Sequence, residues 1–426
     1  MSFTKGSSGS SSYRKTTLPN GLRVISERIP SVRSISLGVW VDVGVRHETS
    51  GLNGVSHLIE HMVFKGTRRR NARQIAASLE SIGGNLNAFT SREQTCYTAR
   101  VLDEHLETSV DVLADLTGNA TFTPTNLKRE KLVICEEIRE AEENPSDRIH
   151  DLFAEVFWGK HPLGQPILGS LQTVNDMPRR SILSFLNHHY RTESVVLAAS
   201  GSVSHQKLVR LARERFRFEE GCSDGLSPAA YPTQSHLVAK ANDTEQIHTC
   251  IGFPGLAYND PDRIPLLLLT MHLGSGMSSA LFQAVRETFG LAYTIYSFHD
   301  SFRDAGIFGT YFATDQKNLP RALALTMKEL RRVRTRHLSS QRLEQVKRQF
   351  MGQLVLGMES TAARMSRMAR CELMLGRYIT MRQTMNAIER TTADDVRDVA
   401  QRVIDEKLVA IATLGPVDKS VLESSL

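Results

Sequence analysis

The chain has 426 residues, of which 41% are hydrophobic and 23% are charged, and its formal net charge is +6. This composition excludes a disordered, collagen-like or small disulfide-stapled protein, and the length predicts two or three globular domains. The basic excess is small and scattered, so we expect no nucleic-acid binding. The five cysteines are far apart, so we expect no disulfide framework. No apolar run reaches ~18 residues, so we expect no membrane span.

Taken in chain order, the first stretch is rich in serine and glycine and lacks acidic residues, so we interpret residues 1–15 as a disordered tail. Alternating strand patterns and helical periodicity follow. The predicted strands cover residues 22–29, 35–45 and 95–101, and the predicted helices cover residues 72–82, 105–117, 127–141 and 207–216. This mixture predicts an α+β fold, in which helices pack on one face of a largely antiparallel sheet.

The first segment with a chemical signature reads H-L-I-E-H over residues 57–61. Positions four residues apart share one side of a helix, so His57 and His61 can present two imidazole nitrogens to one zinc ion. Glu60 lies along the same side, close enough to take a proton from water without being a ligand. The pattern inverts the H-E-x-x-H motif of zinc peptidases and favours the same chemistry. A helix with two exposed histidines is the alternative. The apolar residues expected to bury this helix are Val55, Leu58, Ile59, Met62 and Val63.

A catalytic zinc needs a third protein ligand, and the acidic helix predicted over residues 127–141 is the best supplier. Glu130 and Glu137 are seven residues apart and share a face, so one can bind the metal while the other orients a ligand histidine. The spacing alone does not choose between Glu136 and Glu137, and an exposed acidic helix is the alternative. The residues expected to bury this helix are Leu127, Leu132, Val133 and Ile138.

A linker and an internal repeat divide the chain. Residues 219–232 are rich in Gly, Ser, Pro and acidic residues, which predicts a linker. A helix–strand–Gly-x-Val pattern at residues 182–203 recurs at residues 396–417, an offset of 214 residues. This recurrence predicts two homologous domains, over residues 16–218 and 233–426. The second half lacks H-x-x-E-H, and we interpret its His272 as structural.

Several stretches together resemble the inverted-zincin peptidases, the superfamily of pitrilysin and insulin-degrading enzyme. Beyond H-L-I-E-H they are LPNGL at 18–22, GGNLNAFT at 83–90, EEI at 136–138 with Asn144-Pro145, and HPLG at 161–164. The chain is most similar to the branch of mitochondrial processing peptidase and its bacterial relatives. The resemblance implies zinc bound by His57, His61 and Glu137, with Glu130 orienting the site from behind.

The same resemblance implies how substrate is bound. The family adds a peptide as an extra strand at an exposed sheet edge, so Asn87 and Ala88 are expected to contact the substrate backbone; an ordinary strand after a Gly-Gly turn is the alternative. Arg286 and Tyr293 match a family pair that reaches the substrate carbonyl, where they can stabilise an oxyanion. A solvated arginine and a core tyrosine are the alternative for this pair.

The resemblance implies a zinc endopeptidase in which Glu60 acts first as general base and then as general acid. The family encloses substrate with four homologous domains and this chain has two. We therefore expect a homodimer that cleaves short or unfolded peptides in a closed chamber, in the bacterial cytoplasm or, alternatively, the mitochondrial matrix. The alternative function is a non-catalytic core subunit of a larger assembly with the same fold.

Overall fold

The computed structural model describes residues 12–223 and 226–417. Its strands are β1 Ser12–Thr17, β2 Arg23–Arg28, β3 Ser34–Val41, β4 Asn85–Thr90, β5 Thr95–Leu102, β6 Val195–Gly201, β7 His236–Ala241, β8 Ile247–Pro254, β9 Thr294–Ser301, β10 Gly306–Thr314 and β11 Ala410–Gly415. Its α-helices are α1 Val55–Val63, α2 Ala72–Glu80, α3 Leu106–Asn119, α4 Pro124–Glu143, α5 Pro145–Trp158, α6 Leu171–Asp176, α7 Arg179–His189, α8 His205–Arg215, α9 Arg263–Gly274, α10 Leu319–Thr335, α11 Ser340–Gly357, α12 Thr361–Leu375, α13 Met381–Arg390 and α14 Ala393–Val403.

The chain forms two compact units, each built on one mixed sheet. The first unit comprises the described parts of Met1–Ile138, Pro166–Leu226 and Leu356–Tyr378. Its sheet has the strand order β1-β2-β6-β3-β5-β4, in which only the β2–β6 pair is parallel. The inner residues of one sheet face pack with α1, α3 and neighbouring helices into the main core of this unit.

The opposite face of the first sheet is covered by a helix from the second half of the chain. Because side chains alternate along a strand, Ile25, Trp40 and Val196 point away from the main core. They form a separate buried cluster with Met365 and Met368 of α12. The Trp40 indole N–H contacts the Met365 sulfur at 3.0 Å, which aligns this helix on the strands.

The second unit repeats this plan. It comprises Arg139–Gln165, Ser227–Val355 and the described part of Ile379–Leu426, and its sheet has the order β7-β11-β8-β10-β9. One face packs against the helices of its own half, and the other packs against α5, which comes from the first half. On that second face Gly252 of β8 leaves the space that the Phe153 ring fills, since a Cβ at Gly252 would lie 2.2 Å from the ring.

The predicted fold class is confirmed: each half contributes one mixed, largely antiparallel sheet with helices. The repeated segments hold equivalent places, because β6 and β11 each lie between one parallel and one antiparallel neighbour. The sequence predicts helices on one face of each sheet. The structure adds one helix on the opposite face, α12 on the first sheet and α5 on the second. We call these the exchanged helices, because each comes from the other half of the chain. The helical and strand periods could predict that such helices are amphipathic but not which sheet they cover.

The predicted boundaries differ from the structure at two places. Residues 12–15 lie in β1, because they pair with β2, and so do not belong to a disordered tail; residues 1–11 are outside the described part. Each compact unit contains a segment from the other half of the chain, whereas the prediction was a single division at residues 219–232. Within its described residues, that predicted linker contains no α-helix and no strand of either sheet.

The sequence predicts neither a disulfide framework nor a membrane span, and the described ranges can be compared with both predictions. No disulfide joins the cysteines within residues 12–223 and 226–417. Across those same ranges, no helix combines the length and the apolar character that a membrane crossing needs.

Candidate metal centre

The short helix α1 carries the H-L-I-E-H segment, and a buried carboxylate caps its N-terminus. Gly54 precedes the helix with φ +92°, and a Cβ there would lie 2.7 Å from the Leu168 carbonyl oxygen. Glu48 accepts hydrogen bonds from the backbone N–H groups of Gly54 and Ser56, both at 2.8 Å. It therefore caps helix N–H groups that have no partner inside the helix. Burial raises the pKa of Glu48 to about 7.

The apolar side of α1 is buried as predicted, which turns its two histidines toward α4. Glu137 Oε2 lies 3.8 Å from His57 Nε2 and 3.6 Å from His61 Nε2. In the part of the chain that the structure describes, these three residues form the group whose ligand atoms all lie within 4.8 Å of one another. Glu136 is exposed on the same helix, so the structure brings Glu137 rather than Glu136 to the histidines.

The donor set fits a zinc ion. Two imidazole nitrogens and one carboxylate oxygen are the ligands that catalytic zinc sites use, and tetrahedral bonds of ~2.0–2.1 Å would space them about 3.4 Å apart. The distances from Glu137 to His57 and His61 lie close to that spacing but are too long for hydrogen bonds. Burial, together with the nearby His61, lowers the pKa of His57 to about 4, so its imidazole is neutral and has a lone pair to offer.

Behind this cluster, Glu130 contacts the second histidine. Its Oε2 lies 3.3 Å from His61 Nδ1, which leaves His61 Nε2 facing Glu137. Glu130 is buried, and Lys65 Nζ pairs with the same oxygen at 3.0 Å. A carboxylate behind a ligand histidine fixes the ring orientation and its tautomer. The structure thus places Glu130 beside the ring nitrogen of His61 that does not face Glu137.

One expectation about α4 is wrong. Leu127 and Ile138 are buried, but Leu132 and Val133 are 60% and 45% exposed. The buried face follows the helical period through Leu127, Glu130, Ile134 and Ile138, so residues 132 and 133 lie on the other side.

Glu60 lies on α1, and its side chain reaches the edge strand β4. Thr90, the last residue of β4, donates a hydrogen bond from Oγ1 to Glu60 Oε2 at 2.5 Å. Burial raises the pKa of Glu60, and the Thr90 hydrogen bond acts in the opposite direction. A raised carboxylate pKa suits proton transfer near neutral pH.

The β4–β5 turn is held by the segment just before α1. Arg46 Nη1 and Glu93 Oε1 form a buried ion pair at 2.6 Å, and the Arg46 N–H donates to the Arg92 carbonyl at 2.7 Å. This segment therefore anchors both the α1 cap and the turn that follows Thr90. Asn87 and Ala88 lie in β4, which is the terminal strand of its sheet and pairs only with β5 among the described strands.

The remaining predicted residues lie in the second unit. Arg286 lies in the π-helical turn Phe282–Glu287 and donates from Nη1 to the Tyr293 carbonyl at 2.6 Å. Its guanidinium lies 4.5 Å from the centre of the Tyr293 ring, and that side chain is 74% exposed. The structure brings the half-buried Arg286 and the exposed Tyr293 together. His272 accepts a hydrogen bond from Arg342 Nε at 3.1 Å, which agrees with a structural role.

Sequence reasoning missed Thr90, Glu48 and Lys65. Thr90 and Lys65 carry no local signal, because their contacts depend on how β4 and α4 pack against α1. Glu48 had a detectable signal: an acidic residue that precedes a Gly-initiated helix is a candidate cap.

The chain is similar to peptidase families along most of its length. Residues 23–171 match the family profile "Insulinase (Peptidase family M16)", and residues 176–350 match "Peptidase M16 inactive domain". An uncharacterized zinc protease of Streptomyces coelicolor is 38% identical over 425 residues, which is 98% of this chain and 92% of that protein. The uncharacterized zinc protease YmxG of Bacillus subtilis is 38% identical over 404 residues, which is 95% of this chain and 98% of that protein.

Solved structures share the fold at lower identity. A protease from Helicobacter pylori has a TM-score of 0.87 at 20% identity, over 95% of this chain and 100% of that chain. A chain of the Candida albicans complex III2 structure has a TM-score of 0.84 at 20% identity, over 97% of this chain and 99% of that chain.

Proposed function

The chain belongs to the insulinase family of peptidases, family M16, and from this premise we propose that it is a zinc endopeptidase whose ion is held by His57, His61 and Glu137. Zinc is the metal of this family, whose relatives are named zinc proteases. The observation that carries the proposal is the convergence of the two Nε2 atoms on one Glu137 oxygen. When bound, zinc would supply a Lewis acid that polarises the scissile carbonyl and acidifies a water molecule.

Glu60 is the residue that moves the proton. Its Oε2 accepts the Thr90 hydroxyl, so we assign proton transfer to the other carboxylate oxygen. Glu60 takes the proton from the attacking water and passes it to the leaving amine nitrogen. Burial supports this role, because it raises the pKa of Glu60 toward the range of an effective general base. Glu130 holds the His61 ring with Nε2 turned to the ligand cluster throughout.

The peptide substrate pairs with the free edge of β4. Asn87 is exposed on this strand, and its backbone would bond the substrate without reading the sequence of side chains. Thr90 ends the same strand at Glu60, so a peptide paired along β4 leads toward the proposed zinc ligands. This arrangement supports cleavage of extended peptides, which are short or unfolded.

The enzyme works as a homodimer with a closed chamber, and the Arg286–Tyr293 pair stabilises the oxyanion from a second copy of the chain. The mutual contact of Arg286 and Tyr293 and the exposure of Tyr293 support a role outside their own unit's core. Gel filtration of the active protein should give a dimer, and a fully active monomer would refute this part. The bacterial relatives support the cytoplasm as the compartment.

The zinc site is tested by a matched pair of variants on α4. Glu137→Gln removes a proposed ligand, whereas Glu136→Gln changes its exposed neighbour on the same helix. We expect bound zinc to fall at least tenfold in the first variant and to stay at the wild-type level in the second, as measured by atomic absorption after dialysis. Equal zinc contents in the two variants would contradict the ligand assignment.

The mechanism is tested by Glu60→Gln, which keeps the shape of the side chain but removes the base. We expect full zinc content and at least a thousandfold loss in turnover of a quenched fluorescent peptide. Cleavage at the wild-type rate by this variant would show that Glu60 is not the base. A wild-type protein that binds zinc but cleaves no peptide would favour the non-catalytic subunit instead.

A further inference from the structure

A second concave site lies in the first unit, between strands β1 and β2 and the first turn of α8. Its volume is about 570 Å³, within the range of small-molecule sites. Of the nine described residues that line it, none is acidic and Val203 is the single apolar one. A cavity lined almost entirely by hydrogen-bond donors and cationic groups suits an anion.

Two arginines form one wall of this cavity. In the β1–β2 register Arg14 is opposite Ser26 and Arg28 is opposite Ser12, so both arginines point to the same sheet face as diagonal neighbours. Both are exposed, and neither forms an ion pair within the described residues. Two positive charges on the same face of adjacent strands repel each other. An anion between the two guanidinium groups would remove that repulsion.

The residues at the start of α8 supply further hydrogen-bond donors to the cavity, and one of them is held rigidly. His205 is fixed by hydrogen bonds between its two ring nitrogens and the hydroxyl groups of Thr16 and Ser26, both at 2.9 Å. Ser204 Oγ accepts the Lys207 N–H at 3.4 Å, while the first-turn N–H groups of His205 and Gln206 have no helical acceptor.

The acidic group that the lining residue Ser202 contacts is already paired with an arginine. Ser202, which lines the cavity, donates its hydroxyl to Asp103 at 2.9 Å. The Asp103 carboxylate pairs with Arg33 at 3.1 Å, so it does not cancel the charge of Arg14 and Arg28.

We propose that this cavity binds a small phosphate-bearing molecule, with Arg14 and Arg28 contacting the phosphate oxygens from one side and the α8 N–H groups from the other. Guanidinium forks match the geometry of phosphate oxygens. The site shares no residue with the zinc cluster, so it does not depend on the proposed peptidase mechanism. The ligand would join β1, the terminal strand of its sheet, to β2 and α8 and so stabilise that edge.

The test is isothermal titration of the full-length chain, freed of zinc, with inorganic phosphate at pH 7.5 and constant ionic strength. We expect one saturable site, at least tenfold weaker in R14A/R28A and unchanged in R73A/R180A. The latter is a matched control that removes two exposed arginines elsewhere in the same unit. R14K/R28K keeps the charges but not the forks and should bind with intermediate affinity. Hydrogen exchange should show phosphate-dependent protection in β1 and the first turn of α8.

Three results would overturn the proposal. Two of them concern phosphate: no saturable binding by the wild type, and equal affinities in R14A/R28A and R73A/R180A. The third is tighter binding of a single-stranded oligonucleotide that weakens equally in both double variants, because that result would assign the arginines to a diffuse nucleic-acid surface. Thermal unfolding of each variant establishes that it is folded, and R14K/R28K keeps the test decisive if R14A/R28A does not fold.

Discussion

At the scale of single residues, Thr90 is the side chain that holds the proposed base. Its hydroxyl donates to Glu60 Oε2, and a hydrogen bond to a charged group contributes about 1.5–3 kcal/mol. Thr90→Val should therefore lower kcat about tenfold or more without loss of zinc, while Thr90→Ser should retain activity. Steady-state kinetics on a quenched peptide, with zinc content in parallel, measures this. Equal kcat values for the valine and serine variants would mean that the hydrogen bond does not position Glu60.

His272 gives a prediction about pH and stability. Burial, followed by the charges of Arg342 and Arg332, lowers its pKa to about 4 in the folded protein. The unfolded side chain titrates near pH 6.5, so between these two values only the unfolded chain takes up the proton. Stability is therefore lost as pH falls from about 6.5 toward 4, by on the order of 3 kcal/mol.

The substitution His272→Gln removes this titration and should flatten the stability profile over that window. Urea unfolding at pH 7, 6 and 5 measures the effect. If the wild type and the variant lose stability in parallel as pH falls, His272 is not the responsible group.

At the scale of elements, local periodicity predicts helices and strands well, but their partners only in part. The helix predicted over 72–82 is Ala72–Glu80, and the strand predicted over 95–101 is Thr95–Leu102. The pairing of His57 with His61 follows from helical geometry alone. The choice of Glu137 over Glu136 does not, because it depends on how α4 is rotated against α1.

The exchanged helix α12 makes the first unit sensitive to a distant substitution. Met365 is buried against the sheet and contacts Trp40. Met365→Ala leaves a cavity there and should cost about 2–5 kcal/mol of unfolding free energy. Met277→Ala, at a residue that is 74% exposed, should change it by less than ~0.5 kcal/mol.

The two tryptophans allow this loss to be located. Trp40 lies in the first unit and Trp158 in the second, so a Trp158→Phe background isolates the fluorescence of Trp40. We expect Met365→Ala to lower the urea midpoint reported by Trp40 in that background. An unchanged midpoint would mean that α12 does not stabilise this sheet.

At the scale of the whole molecule, each unit contains a helix from the other half of the chain. The first unit takes residues 356–378 and the second takes residues 139–165. A chain cut by a protease site inserted within residues 219–232 should therefore keep both fragments together in native gel filtration and separate them in denaturant. Fragments that separate without denaturant would show that the exchanged helices α5 and α12 are dispensable for cohesion.

The position of α12 also sets an order of events during synthesis. The strands that α12 covers are complete once the ribosome has passed Gly201, but the helix itself begins at Thr361, roughly 160 residues later. Translation proceeds at ~5–20 residues per second, so α12 is missing from the apolar face around Trp40 and Val196 for about ten to thirty seconds. A nascent chain with a bare sheet face for that time is a natural client for a ribosome-associated chaperone, so the timing of translation itself becomes part of how this fold is reached.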